Sequence, residues 1–272
     1  MVFGEGGLGD FVASTAVPRE LHRVDPLEPI EIVIPRNQEI FFHNPHLVQK
    51  PTNPRIVNVE LERDGEAGNI PYSICRQIGI DPIDTTPEIF LVKKDFKRIA
   101  RGNFPPAIAI DTGARGENRR WPHERWCEVA RRLMERHTVV EIGSSNLDID
   151  DLPDRGGRIP CHRSYLDKLS VRETAALITK RCTLLVSMDS GSYHLAAAVG
   201  CPQVVIYSRS SWYSRAYWNT TPIYPNIDCY SYQDCGRRCI NAIGAPCLEK
   251  IYPDRVLEMV RLAISRNHNR LR

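Results

Sequence analysis

The sequence predicts an α/β protein made of two consecutive α/β halves, and three observations carry that expectation. Residues 183–207 read as one compact βαβ unit. Short β-branched runs alternate with amphipathic segments along the chain, and Arg101-Gly102-Asn103-Phe104-Pro105-Pro106 interrupts the series with residues that continue neither kind of regular element. In the βαβ unit, Thr183 to Ser187 is an apolar run suited to a buried strand. Asp189-Ser190-Gly191-Ser192 then supplies turn and N-cap residue types, and His194 to Val199 is rich in helix formers. Gly200 suits the C′ position, Pro202 lies just beyond, and Gln203 to Tyr207 opens the next strand. A strand that delivers such a turn onto a helix N-terminus converges backbone N–H groups where the helix dipole favours an anion such as a diphosphate. The same residues also suffice merely to cap a buried helix, so this unit alone leaves both roles open.

Taken in order, the first half begins with Met1 to Phe3, barely enough for a strand, and the loop Gly4-Glu5-Gly6-Gly7-Leu8-Gly9-Asp10. Phe11 to Val24 looks helical, with a break or late start near Pro18, which has no N–H to give. Ile30 to Ile34, Arg55 to Val59 and Glu88 to Val92 read as strands of a first sheet. Phe41 to His46 reads as a loop or short helix, and Tyr72 to Ile78 as a helix closed by Gly79. The second half starts at the strand Ala107 to Ile110. Trp126, Val129, Ala130, Leu133 and Met134 then mark one helix face, and Thr138 to Ile142 is the next strand. Ser170-Val171-Arg172-Glu173 has the capping-box pattern, and Pro253 to Ile264 is an amphipathic terminal helix with Pro at its start.

Composition bounds the function classes. With 272 residues, 42% hydrophobic and 25% charged, the chain has an ordinary globular composition and enough length for a large core. A net charge of +3 argues against stable nucleic-acid binding. The end from Arg261 to Arg272 carries arginines and no acid, which implies at most a weak peripheral attraction to an anionic membrane face. No run approaches a membrane span and Met1 to Gly4 leads into glycines rather than a signal sequence, so the expected location is cytoplasmic, at the inner membrane face if that attraction operates.

Three motifs in one order carry a resemblance: Gly7-Leu8-Gly9-Asp10, Arg119-Arg120-Trp121-Pro122-His123-Glu124-Arg125-Trp126, and Asp189-Ser190-Gly191-Ser192-Tyr193-His194-Leu195-Ala196-Ala197. Together they resemble the ADP-heptose:lipopolysaccharide heptosyltransferase family, over nearly the whole chain. The resemblance implies a GT-B architecture, two Rossmann-like domains facing across a cleft, here 1–103 on the acceptor side and 107–272 on the nucleotide-sugar side. It implies an inverting glycosyltransferase that needs no catalytic metal, with ADP-heptose as donor and a glycolipid hydroxyl as acceptor. Arg119 stands where the family typically carries lysine. Alternatives outside this reading are a transferase acting on protein or phage nucleic acid, an epimerase, and a nucleotide-sugar-binding module without catalysis. A nicotinamide oxidoreductase ranks below these, because the glycines near the start match a dinucleotide fingerprint with no adequate strand before them.

By resemblance Asp10 is the general base, and a carboxylate over a cleft can take the proton of a sugar hydroxyl as the new bond forms. Its alternative role is capping the helix that follows. Gly6, Gly7 and Gly9 would let backbone approach substrate, with a flexible end as their alternative. Arg119 is the candidate diphosphate ligand, since guanidinium makes paired charge-assisted bonds, and a solvated surface arginine is its alternative. Ser190, Gly191 and Ser192 would donate to phosphates, with Asp189 and His194 contacting sugar or phosphate; His194 could instead be a packed histidine. Glu141 or Ser144 is placed near the nucleotide by strand-end position alone. Trp121 and Trp126 belong to the core. Cys229, Cys235, Cys239 and Cys247 fall within nineteen residues, resembling a four-cysteine element of heptosyltransferase-like chains. Four thiolates suit a structural zinc or iron, with unligated thiols as the alternative.

Overall fold

The computed structural model describes residues 1–3, 6–48, 58–59, 70–100, 104–114, 119–145, 157–208, 215–227 and 246–270. The first half opens with β1 (Val2–Phe3), paired in parallel with β2 (Asn58–Val59). Next come α1 (Leu8–Ala13), a 3₁₀ turn at Ser14–Ala16 and α2 (Val17–Val24). The break falls where Pro18 dictates. The Ser14 carbonyl has no N–H four residues on, and the Val17 N–H closes a tighter turn onto it instead. Then follow α3 (Ile70–Gln77), ended by Gly79 at φ +79°, and α4 (Lys97–Ala100).

Two expected strands of this half are not strands. Along Ile30 to Ile34 the side chains alternate, with Ile30, Ile32 and Ile34 buried and Val33 exposed, but the only bridge is at Val33, whose N–H donates to Met1 O at 2.9 Å. Gln38 occupies the place of a neighbouring strand: its amide donates to Ile32 O at 2.7 Å and its oxygen accepts from Ile34 N at 3.0 Å. Glu88 to Val92 likewise forms no strand, its backbone groups being taken by side chains. Glu88 N donates to Thr15 Oγ1, Val92 N to Asp95 Oδ2, and Phe90 O accepts from Arg172. Of Arg55 to Val59, only Asn58 and Val59 are described, and they form β2.

The second half is a six-stranded parallel sheet of β3 (Ala107–Asp111), β4 (Thr138–Glu141), β5 (Arg163–Ser164), β6 (Cys182–Met188), β7 (Gln203–Ile206) and β8 (Thr220–Ile223). Spatial order is β5-β4-β3-β6-β7-β8, the doubly wound order in which the chain reverses direction across the sheet between β3 and β6. Its helices are α5 (His123–Met134), α6 (Val171–Arg181), α7 (Gly191–Ala198), α8 (Pro246–Glu249) and α9 (Pro253–Arg270). Ser170 caps α6 as its sequence pattern requires, accepting from Glu173 N while Glu173 accepts from Ser170 N.

Strand alternation sorts the core onto the two sheet faces. Ile108, Ile110, Leu184, Val186 and Val204 pack with the buried faces of α5 and α9 and with Trp121, which lies just before α5 and meets Trp126 edge to face. Ala107, Ala109, Val140 and Leu185 pack with α6 and α7 on the opposite face, and the apolar side chains of the first half join that same cluster. Arg172 of α6 pins the first half there. Its guanidinium holds both oxygens of Asp95, at 3.1 and 2.7 Å, and donates to the carbonyls of Glu39, Phe42 and Phe90. Among the described residues, no helix is long and apolar enough to cross a membrane.

Candidate active site

In a doubly wound sheet the ligand crevice lies beyond the strand C-termini where the strand order reverses, here between β3 and β6. The last residue of β3, Asp111, is 4% exposed and accepts from Gly113 N at 2.8 Å and from the Ser190 hydroxyl at 3.3 Å. Ser190 is the N-cap of α7, and its side chain is turned across the crevice to Asp111 instead of capping its own helix. Gly143, just after β4, closes the wall behind Asp111. It sits at φ +111°, and a Cβ there would fall 2.4 Å from Asp111 Oδ1, so both backbone angle and space require glycine.

Asp189 follows β6 and is 5% exposed. Arg119, arriving on the segment before α5, puts its guanidinium 3.1 Å from Asp189 Oδ2 and donates to the Asp189 carbonyl. A buried carboxylate is tolerable only when paired, and Arg119 is that partner. Positive charge, the α7 N-terminus and the Ser190-Gly191-Ser192 backbone therefore converge at the crevice, a combination suited to a diphosphate.

The first half meets this turn through α1, which packs against α7. A Cβ on Gly9 would come 2.7 Å from His194 Cδ2, and one on Gly191 would come 2.8 Å from Leu8 Cδ2. These glycines let two helix N-termini touch. Asp10 is at the third position of α1 and accepts from Gly7 N at 2.6 Å, so it does serve the helix start. It is also close enough for its charge to act on His194 and Tyr217. His194 is buried, with Nδ1 2.7 Å from the Tyr217 hydroxyl and Nε2 3.8 Å from Asp189 Oδ1. Burial pushes its imidazole down to about 4, outweighing the carboxylates of Asp189 and Asp10, so it is neutral at physiological pH. Burial likewise raises the Tyr217 hydroxyl well above its ordinary range, keeping it protonated.

The fold thus brings together Gly7, Gly9, Asp10, Arg119, Asp189, Ser190, Gly191, Ser192 and His194. The two strand-end candidates have partners within the fold. Glu141 is fully buried and accepts from Ile159 N and Ser164 Oγ, bracing β4 against β5, while Ser144 bonds to Asp167. Cys229, Cys235 and Cys239 lie outside the described residues. Cys247 is in α8, partly buried against the apolar cluster of α5 and α9. Among the described residues no group of three or more metal-binding side chains is gathered. Asp111, Gly143 and Tyr217 were missed. The first two had a signal in their strand-end positions, whereas nothing local marks Tyr217.

The chain is similar in sequence and in fold to known proteins. The family model of glycosyltransferase family 9 (heptosyltransferase) matches residues 76–241. Lipooligosaccharide heptosyltransferase 2 of Haemophilus influenzae is 29% identical over 165 residues, 58% of this chain and 46% of that protein. The chain thus spans about half or less of the length of the curated relatives it matches. Among solved structures, ADP-heptose lps heptosyltransferase II of Escherichia coli superposes with a TM-score of 0.69 at 17% identity, covering 98% of each chain. The dodecameric iron-containing heptosyltransferase TibC of enterotoxigenic E. coli is known in complex with ADP-D-β-D-heptose. That complex superposes with a TM-score of 0.76 at 16% identity, over 98% of this chain and 76% of that one. The fold is the GT-B arrangement of these heptosyltransferases. With a family match over more than half its length and the fold to go with it, the chain belongs to glycosyltransferase family 9.

Proposed function

We propose that this chain is an inverting glycosyltransferase that moves a heptose from ADP-heptose to a hydroxyl of a lipopolysaccharide-type glycolipid, working in the cytoplasm at the inner membrane face. The supporting observation is the convergence at the reversal point of the sheet: Arg119 and the α7 N-terminus on one side, and Asp10 on α1 against them. The ADP-heptose complex of the TibC neighbour supports the choice of donor.

In this reading residues 107–272 hold the donor and 1–103 present the acceptor. Asp10 takes the proton of the acceptor hydroxyl as its oxygen bonds to the anomeric carbon from the face opposite the diphosphate. The bond from that carbon to the diphosphate oxygen breaks, ADP leaves with the electron pair, and the configuration inverts. Arg119 and the N–H groups of the Ser190-Gly191-Ser192 turn offset the charge growing on the leaving diphosphate. A zinc or iron on Cys229, Cys235, Cys239 and Cys247 would be a structural element apart from this chemistry, since four thiolates make a closed tetrahedral set.

The reading is tested by a melting screen with ADP- and UDP-linked sugars. A ligand at a hundred times its dissociation constant stabilises the fold by about 2.7 kcal/mol, and ADP-heptose is expected to give the largest shift. A melt moved by a nicotinamide dinucleotide and by no nucleotide sugar overturns the reading.

A further inference from the structure

Tyr217 lies in the segment before β8, and its backbone is fixed at both ends of a tight turn. Its N–H donates to Thr220 Oγ1 at 3.2 Å, and its carbonyl accepts from Thr220 N at 3.0 Å. The ring is buried against Tyr193 and His194, so the hydroxyl has a set position, 2.7 Å from His194 Nδ1. From His194 the contacts continue to Asp189 and from Asp189 to Arg119.

The proton on the imidazole can be placed from its neighbours. Nε2 is on the side of the Asp189 carboxylate, 3.8 Å away, too far for a hydrogen bond but near enough for the negative charge to favour the N–H on Nε2. Nδ1 is then a lone pair, and the Tyr217 hydroxyl, which stays protonated, is its donor. The other groups around the ring are Asp10 of α1, Arg119, Arg215 and the Tyr193 ring, with the Gly9 backbone against its edge. With Nδ1 occupied by a donor, the neutral ring is favoured. A protonated His194 would instead be a second cation at Asp189 and would compete with Arg119 for its carboxylate.

We propose that Tyr217 is a positioning residue for donor binding: its hydroxyl holds His194 in the Nε2–H tautomer facing Asp189, which keeps Asp189 paired with Arg119 and the guanidinium aimed at the donor diphosphate. The inference rests on the donor-site reading above and extends it to a residue outside the three sequence motifs. The string Tyr217, His194, Asp189, Arg119, joined by a hydrogen bond and by charge contacts, orients the group that meets the ligand, as partners behind a ligating side chain do elsewhere.

Two measurements on the full chain test it. In the unmodified protein, nitrogen-edited NMR of the histidine rings is expected to show His194 with Nε2 protonated and Nδ1 bare at pH 7. Calorimetric titration with ADP at pH 7 is then compared between the unmodified chain and Tyr217→Phe, and the same NMR measurement is made on the variant. Tyr217→Phe removes the donor to Nδ1, so the variant is expected to show a mixture of His194 tautomers and to bind ADP about tenfold more weakly. An unchanged tautomer in the variant or an unchanged ADP affinity overturns the proposal, and so does an Nδ1–H tautomer in the unmodified chain, a result that needs no variant to fold. If the unmodified chain binds no ADP, the donor-site reading itself fails, an outcome separate from a wrong tautomer.

Discussion

Gly9 of α1 rests against the imidazole edge of His194 on α7, so closely that a Cβ would stand 2.7 Å from Cδ2 and 3.0 Å from Nε2. The contact joins the helix that carries Asp10 to the helix whose N-terminus faces the crevice. His194 is buried and held by Tyr217, so it cannot swing aside as a surface side chain would. Gly9→Ala is therefore expected to push the two helices apart, costing about 1–3 kcal/mol of stability and lowering turnover per folded molecule. Gly191→Ala meets only the Leu8 side chain and should cost less. Thermal melts and initial rates of the two variants check the order, and equal effects would refute it.

Asp10 has two roles that one substitution separates. Its carboxylate accepts from Gly7 N at the start of α1, a bond that an asparagine oxygen can also accept. Asp10→Asn should hold the melting temperature nearly constant while kcat falls roughly 10²- to 10⁴-fold, with donor affinity unchanged. A destabilised variant with turnover retained would make Asp10 a cap and nothing more.

Arg119 is tied to the structure more firmly than a surface ligand. Removing it strips the cation from Asp189, which is 5% exposed. Arg119→Ala should thus weaken ADP binding by about 1.5–3 kcal/mol and also lower stability. Adding Asp189→Asn to the same chain removes the stranded charge. The double variant is expected to recover melting temperature without recovering ADP affinity. Recovery of both, measured by calorimetry, would remove Arg119 from the donor site.

Arg172 and Asp95 form a buried ion pair between the halves. Arg172→Ala leaves a buried carboxylate without its cation and three carbonyls without their Arg172 donor, and should cost about 3–5 kcal/mol in denaturant unfolding. Replacing both partners by apolar residues is expected to cost less than the single change, because no charge is then stranded. The reverse order would show that the pair stabilises by itself.

Acid should act on the fold in two windows. His194 titrates at about 4 when folded against 6.5 as an ordinary histidine. A folded value below the unfolded one means that its contribution is complete above pH 6.5 and declines as pH falls toward about 4. For Asp95, burial alone would raise the carboxyl, but the bonds from Arg172 and Val92 and the charges of Arg172 and Lys94 prevail and hold it below its ordinary 3.8. Its contribution is complete above that value and lost only below it. Unfolding free energies measured from pH 7 to 3 should show the first decline shrink in His194→Gln and the second remain. An unchanged upper decline would assign it to another group.

Local signals determined most of the second half. Apolar runs bounded by Gly, Pro and capping residues set β3, β4, β6 and β7 and the helices between them, because parallel strands buried on both faces need continuous apolar sequence and each helix start is written in its cap. The turn Asp189-Ser190-Gly191-Ser192 could be singled out for the same reason, since turn chemistry is a property of single residues, whereas Arg119, one of 36 basic residues, stood out only through the family resemblance of its motif. Tertiary structure decided what depends on distant partners. Ile30 to Ile34 has the alternation of a strand, yet Gln38 takes its backbone groups. Glu88 to Val92 loses its ladder to Thr15, Asp95 and Arg172. Gly9 is glycine for the sake of His194, 185 positions later in the chain, and Gly143 for the sake of Asp111. Tyr217 joins the site through one hydroxyl, 23 residues from His194. No periodicity or cap encodes such contacts, since they exist only once the strand order has folded the chain back across β3 and β6.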